Sequence, residues 1–102
     1  MNPTPRLSAE VILGAVNIAD AVRTQLMKRG RRNEEISLEW LPDPDTAPPP
    51  ETPELRATLR ASGSVRQIFS REELEVSCDR LDRPSVVAKI NLVVESLQAG
   101  LP

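Results

Sequence analysis

The chain contains no histidine and no tyrosine, and its single cysteine is Cys78. Histidine is the usual general base and the commonest metal ligand in proteins. Its absence excludes Ser-His-Asp and Cys-His catalysis and every metal site built on imidazole. A lone thiol can form neither an intramolecular disulfide nor a thiolate cage around a metal. We therefore expect a protein that is not an enzyme and that holds no cofactor and no metal.

Glycine is scarce as well, and the four glycines form neither a Gly-x-Gly-x-x-Gly nor a Walker pattern. Nucleotide-binding loops of those kinds are therefore excluded. Pairs of carboxylates remain as the one general acid–base device. Glu72, Glu73 and Glu75 fall in the first turn of a predicted helix, where acidic side chains stabilise the helix dipole. We expect them to be structural and predict no catalytic residue.

Long apolar runs are also missing. The longest, Val11–Val16, is interrupted by Gly14 and is far too short to cross a bilayer. The N-terminus lacks the basic and then apolar pattern of a signal peptide. One cysteine gives no sign of an oxidising compartment. The sequence predicts a soluble cytoplasmic protein with no membrane partner.

With 102 residues, the chain is long enough for one domain spanning 1–102. Most of its ten prolines lie between Pro42 and Pro53. Proline supplies no backbone donor and favours extended backbone, so we interpret 42–53 as an exposed, acidic, Pro-rich loop. Residues 1–7 are interpreted as an N-terminal tail.

Charge is distributed unevenly. Residues 1–33 carry six basic and two acidic side chains, whereas residues 34–54 carry seven acidic ones and no basic one. Residues 55–102 are nearly balanced, with seven basic and six acidic side chains. A protein that binds polyanions along its whole surface would be basic throughout. This pattern instead predicts two local surfaces of opposite sign.

The first helix is predicted over 8–29, with Ser8 as its N-cap and Gly30 just beyond its C-terminus. Its core stripe has helical spacing. The stripe consists of Val11, Ala15, Ile18, Val22 and Leu26. The opposite face is predicted to be solvent-exposed. That face consists of Glu10, Gly14, Asn17, Thr24 and Lys28.

Three strands are expected to follow. Residues 35–40 alternate polar and apolar, which places Ile36, Leu38 and Trp40 on one face of a strand. Residues 54–61 alternate in the same way, although their helix propensity is also high. The Ser62-Gly63-Ser64 stretch favours a three-residue hairpin loop with Gly63 in the left-handed region. We predict a hairpin over 55–69 that pairs Ala61 with Val65 and directs Arg56, Arg60 and Arg66 to its outer face. A single helix over these residues remains the alternative.

Two helices complete the predicted fold. Ser70 and Glu73 form a capping box, and Phe69 and Leu74 form a hydrophobic staple. The apolar stripe continues through Cys78, which we interpret as a buried small hydrophobe. Pro84 separates this helix from the last one. The last helix has its apolar face at Val86, Ile90, Val93 and Leu97 with Val87 and Val94 beside it.

These elements predict an α+β domain of order α-β-β-β-α-α, in which helices pack on one face of a three-stranded antiparallel sheet. The two long helices carry more apolar surface than one sheet face covers. That surplus favours either a homodimer or a monomer that buries it internally.

Some polar residues have no predicted role in a helix cap or a turn. These residues indicate a protein whose function is to bind a partner. We expect a non-catalytic protein–protein interaction domain that acts as a small adaptor, regulator or inhibitor. The predicted partner-binding residues are Trp40, Lys28, Arg29, Arg31 and Arg32. The alternative is a nucleic-acid-binding regulatory protein. It would use Arg29, Arg31 and Arg32 together with the hairpin residues Arg56, Arg60 and Arg66.

Overall fold

The computed structural model describes residues 4–41, 51–60 and 62–99, the first five of them as backbone only. Helix α1 spans Thr4–Lys28, and a 3₁₀ turn at Asn33–Glu35 leads into strand β1, Ile36–Leu41. Strands β2 and β3 span Glu54–Leu59 and Gly63–Ile68. Helices α2 and α3 span Arg71–Val76 and Pro84–Ala99. The predicted α+β class, element order and three-stranded antiparallel sheet are confirmed.

The sheet has the order β1-β2-β3, with both neighbouring pairs antiparallel. Its inner face and the two long helices enclose one core. The buried stripe of α1 is the one predicted, from Val11 to Leu26, and α3 buries Val86, Ile90, Val93, Val94 and Leu97. Leu55, Ala57 and Leu59 supply the fully buried residues of β2. Period-two and period-3.6 patterns therefore identified most of the core correctly, although Val87, predicted beside the apolar face of α3, is exposed.

Helix α1 starts earlier than predicted. It begins at Thr4, so residues 4–7 belong to the helix instead of the expected tail. Proline is tolerated in a first helical turn, where its missing N–H is not needed, and Pro5 does not stop the helix. The C-terminus is as predicted: Gly30 has φ +91°, and Arg31 N–H donates to Leu26 O over 3.0 Å. This bond and the one from Gly30 N–H to Met27 O form a Schellman cap.

The predicted register of the hairpin is wrong, although the hairpin itself is confirmed. Ala57 pairs with Val65 and Leu59 with Gly63, so β2 ends and β3 begins at the last of these pairs. The predicted partner of Val65, Ala61, lies outside the described residues. Phe69 leaves the strand because it is buried at the start of α2, which shortens β3 at that end. The register differs from the predicted one by an even number of residues. Each side chain therefore keeps its predicted face.

Two predictions about α1 and α2 are also corrected. The capping box is present, with Glu73 N–H donating to Ser70 Oγ over 3.1 Å, but α2 ends at Val76 instead of continuing towards Leu81. Gly14 and Asn17, expected in solvent, contact α2. Asn17 Nδ2 donates over 2.9 and 3.3 Å to the carbonyls of Ser77 and Cys78, the two residues that follow α2. Cys78 is consequently half-buried instead of buried.

The Pro-rich loop predicted at 42–53 lies outside the described residues from 42 to 50. Its last residue, Pro53, is buried, and the Pro53 carbonyl accepts a hydrogen bond from Phe69 N–H over 2.9 Å. No helix in the described part of the chain is long and apolar enough to cross a membrane.

Candidate interaction surfaces

Trp40 is held by the fold on two sides. Its indole N–H donates to the carbonyl of Ala15 in α1 over 3.1 Å. Its ring meets Phe69 edge to face, with 5.6 Å between the ring centroids. These contacts leave Trp40 half-buried. Trp40, predicted as an anchor for a partner, thus connects β1 with α1 and with the start of α2. Only the part of its surface that remains exposed can contact a partner.

That remaining surface lines a groove between α1 and β1. The groove has a volume of about 320 Å³. Its walls are formed by Val16, Ala19, Asp20, Arg23, Leu38 and Trp40. At the far end of the groove, Arg23 Nη1 donates to Asn33 Oδ1 over 2.7 Å. Asn33 directly follows Arg32 of the predicted basic cluster. The groove therefore leads from the aromatic pair towards the predicted basic cluster.

The solvent side of α1, next to this groove, carries three exposed apolar residues. Leu13 is 53 % exposed and Val16 is 57 % exposed, and Met27, two heptads after Leu13, is also exposed. Single exposed apolar residues are ordinary, but residues 13, 16, 20, 23 and 27 follow the three-four spacing of a helix-packing seam. Leu13 and Val16 were not among the predicted binding residues. Their spacing was the available signal.

Strand β1 lies at an edge of the sheet and adjoins the same groove. In an antiparallel pair, alternate residues direct both backbone groups at the neighbouring strand. Arg60 N–H donates to Glu35 O over 3.0 Å, so the backbone N–H and C=O groups of Glu35, Ser37 and Glu39 point towards β2. Leu38 and Trp40 therefore direct N–H and C=O outward, and no other strand of the described residues pairs there. We call the exposed side of α1, the groove and this open edge the α1–β1 face.

The same Arg60–Glu35 bond assembles a second surface. It brings Arg60 to the end of the molecule where α1 finishes, beside the predicted cluster. We call Lys28, Arg29, Arg31, Arg32 and Arg60 the basic end. All but Arg31 are exposed. Arg32 contacts Glu34 over 3.8 Å, and Arg29 donates to Gln25 Oε1 over 3.2 Å.

The other two hairpin arginines do not join the basic end. Arg56 and Arg66 lie opposite each other on the outer face of the sheet, as predicted. Arg56 pairs with Glu39 across 3.3 Å, and Arg66 pairs with Glu54 across 3.6 Å. The six arginines of the nucleic-acid alternative are therefore divided between one basic end and one charge-balanced sheet face.

A buried polar cluster at the junction of α2 and α3 was only partly predicted. Glu73 Oε1 accepts from Ser70 N–H over 2.8 Å, as the capping box requires, and also from Lys89 Nζ over 2.6 Å. Lys89 Nζ lies 5.4 Å from the centre of the Phe69 ring. Desolvation raises the pKa of Glu73, but the hydrogen bonds from Lys89 and Ser70 outweigh it and hold the pKa below its usual value. Through these contacts Glu73 Oε1 joins α2 to α3.

Cys78 is in an environment that opposes thiolate formation. Desolvation by burial raises the pKa of the thiol, and the nearby carboxylates of Asp79 and Glu10 raise it further. An activated cysteine needs a cationic neighbour instead. Among residues 4–41, 51–60 and 62–99, no group of three or more acidic or cysteine side chains is placed to hold a metal ion.

No protein-family model, curated protein or solved structure matches this chain. Its function is therefore argued from these surfaces alone.

Proposed function

We propose that this protein is a non-catalytic protein–protein interaction domain that acts as a small adaptor, regulator or inhibitor. The observation that carries the proposal is the α1–β1 face, where Val16 and Leu13 stand more than half exposed beside an open groove and an open strand edge. Apolar side chains around an aromatic residue are typical of the centre of a protein interface. Removing this surface from water would favour association.

The basic end supports a partner that is acidic where it meets this protein. It adjoins the groove through Arg23 and Asn33, so one partner could contact both surfaces. Complementary charge accelerates encounter and fixes orientation, while the apolar contacts supply most of the affinity. The basic residues therefore steer the partner and the α1–β1 face holds it.

Two variants matched in exposure test this proposal. Val16→Glu places a charge on the α1–β1 face, and Leu92→Glu places the same charge on α3, where Leu92 is 56 % exposed. Each protein is immobilised and incubated with lysate of the native host, and the captured proteins are identified by mass. The proposal expects a partner retained by the wild type and by Leu92→Glu but lost by Val16→Glu. Equal capture by all three proteins, or capture of nothing, would contradict it.

A nucleic-acid-binding regulator is the second candidate, because Arg60 joins the predicted cluster at the basic end. Two features count against it. The described residues include two aromatic side chains, Trp40 and Phe69, and both pack in the fold instead of presenting stacking faces at the basic end. The C-termini of two helices also lie in this region. Helix α1 ends there at Lys28, and α3 reaches it because Ser62 Oγ donates to Leu97 O over 2.6 Å. The C-terminus of a helix carries partial negative charge and therefore repels phosphates.

The two candidates predict different responses to salt. Nucleic-acid binding would weaken steeply as salt rises, with a slope that falls when Arg32 and Arg60 are both replaced by glutamine. Duplex DNA and RNA titrations at about 50 mM and about 200 mM salt measure this directly. Binding with such a slope would favour the second candidate, and absence of binding at the lower salt would exclude it.

A further inference from the structure

We infer that the α1–β1 face binds a second copy of this chain through a two-fold axis beside Leu38, which joins two sheets into one of six strands. The inference rests on the proposed function in using the same face, and it names the occupant. Three features of the face are self-complementary about the same axis: the register of β1, the spacing of apolar residues on α1, and the charges beside the groove.

The first feature is the register of the open edge. Leu38 and Trp40 direct their N–H and C=O groups outward, so a second β1 running antiparallel would bond to them. With Leu38 opposite its own copy, Ile36 faces Trp40 on the inner side, and Ser37 faces Glu39 on the outer side. These pairs bury apolar surface and oppose no like charges.

Neighbouring registers are disfavoured by charge. Moving the second strand by one hydrogen-bonding step places Glu39 opposite Glu39 of the second copy. A step the other way places Glu35 opposite Glu39. Like charges directly across an antiparallel pair are destabilising. The two-fold axis at Leu38 is therefore the one register near the centre of β1 that avoids opposed glutamates.

The second feature is the position of the exposed residues of α1 relative to that axis. Trp40 bonds to Ala15, and the chain reverses direction between α1 and β1. A strand advances about 3.3 Å per residue and a helix about 1.5 Å, so Leu38 lies beside Ala19 and Asp20. All three line the same groove. The axis defined by β1 therefore passes next to residue 20 of α1.

Leu13 and Met27 lie at equal distances along the helix on either side of Asp20. When two copies of α1 pack antiparallel about this axis, Leu13 of each copy meets Met27 of the other, with Val16 between them and the axis. Leu13, Val16 and Met27 are 53, 57 and 47 % exposed in one copy. The second copy would cover the largest exposed apolar side chains of α1.

The third feature is the pair of opposite charges at the axis. Asp20 and Arg23 both line the groove, one helical turn apart. In the antiparallel arrangement each Asp20 lies within reach of Arg23 of the other copy, which gives two reciprocal ion pairs. These pairs offset the approach of the two Asp20 carboxylates. Such a pair of reciprocal contacts is characteristic of a two-fold interface between identical chains.

Sedimentation velocity of the full chain between about 1 µM and about 300 µM tests the inference. We expect a concentration-dependent monomer–dimer equilibrium. Val16→Glu should raise the dissociation constant by about 100-fold, because it buries a charge in the apolar seam. Leu92→Glu should leave it within about threefold of the wild type. Circular dichroism of each variant confirms that the monomer remains folded.

A charge exchange identifies the interface itself. Asp20→Arg and Arg23→Asp should each weaken the dimer by about tenfold, and the double exchange should restore it, because the reciprocal pairs are re-formed with opposite sign. A monomer at every concentration, or a dimer indifferent to Val16→Glu and to both single exchanges, would overturn the inference. Capture of another protein that depends on Val16 in a purely monomeric chain would leave the proposed function standing and remove only the second copy.

Discussion

Gly14 of α1 lies directly against the carbonyl group of Leu74 in α2. A Cβ atom at position 14 would come within 1.7 Å of the Leu74 oxygen and 2.5 Å of its carbonyl carbon. Because both atoms belong to the backbone, no side chain can rotate to relieve the overlap. The contact sets how closely α2 approaches α1, and Asn17 completes it by bonding to the residues that follow α2.

Gly14→Ala should therefore destabilise the fold although alanine is the better helix former. Helix propensity favours the change by about 1 kcal/mol, whereas overpacking against backbone costs about 1–3 kcal/mol and exceeds the gain here. Because the overlap is with backbone, the cost should be at the upper end of that range, and we expect a net loss of about 2 kcal/mol in the free energy of unfolding. Urea denaturation measures it. Thr24→Ala, at an exposed position of the same helix, is the control and should be neutral or slightly stabilising.

Glu73 should make the free energy of unfolding depend on pH in the acidic range. Its pKa is lowered in the folded state, so the unfolded chain binds the proton more readily, and the stabilisation is present above the ordinary glutamate value of about 4.3. It is lost as pH falls through the lowered folded value. Denaturation between pH 3 and pH 6 should show a steeper acid decline for the wild type than for Glu73→Gln.

The control for this effect is Glu72→Gln, because Glu72 is an exposed neighbour that contacts Arg83 at 3.5 Å. We expect Glu72→Gln to change stability by less than about 1 kcal/mol at pH 7. Glu73→Gln should cost about 1–3 kcal/mol there, since it weakens the cap and leaves Lys89 without its carboxylate. An equal acid decline in the wild type and Glu73→Gln would show that the Lys89 contact does not stabilise the fold.

Cys78 should react slowly with alkylating reagents near neutral pH. Burial and the carboxylates of Asp79 and Glu10 raise the pKa of its thiol, which lowers the thiolate fraction. Asp79→Asn removes one of those carboxylates and should accelerate alkylation by about 2- to 5-fold at pH 8. The rate is followed by mass spectrometry against a free thiol peptide. A wild-type rate equal to that of the peptide would contradict the environment described for Cys78.

Local patterns were enough to predict most of the fold. The capping box of Ser70 and Glu73, the Schellman position of Gly30 and the buried stripes of α1 and α3 all depend on residues close in the chain. Period two placed Arg56 and Arg66 on the outer face even though the hairpin register was wrong. An even shift in register changes the partners of a residue but leaves its face unchanged.

Contacts between distant segments could not be predicted in this way. Gly14 and Asn17 looked solvent-exposed because nothing in the sequence of α1 indicates where α2 docks. Arg60 joins the basic end through a bond to Glu35 that depends on how β1 pairs with β2. Trp40 was predicted as an anchor for a partner, but its indole N–H donates to the Ala15 carbonyl, so part of the side chain stabilises the fold. Each case depends on tertiary packing that one helix or strand does not determine.

We expect the α1–β1 face to be covered by protein in the cell. A photoreactive phenylalanine analogue in place of Val16, with the same analogue at Ser64 on the outer sheet face as control, tests it most directly in the native host. We expect crosslinks to protein, whether a second copy or another chain, from position 16 and none from position 64. Crosslinks from neither position, or from position 64 alone, would contradict it.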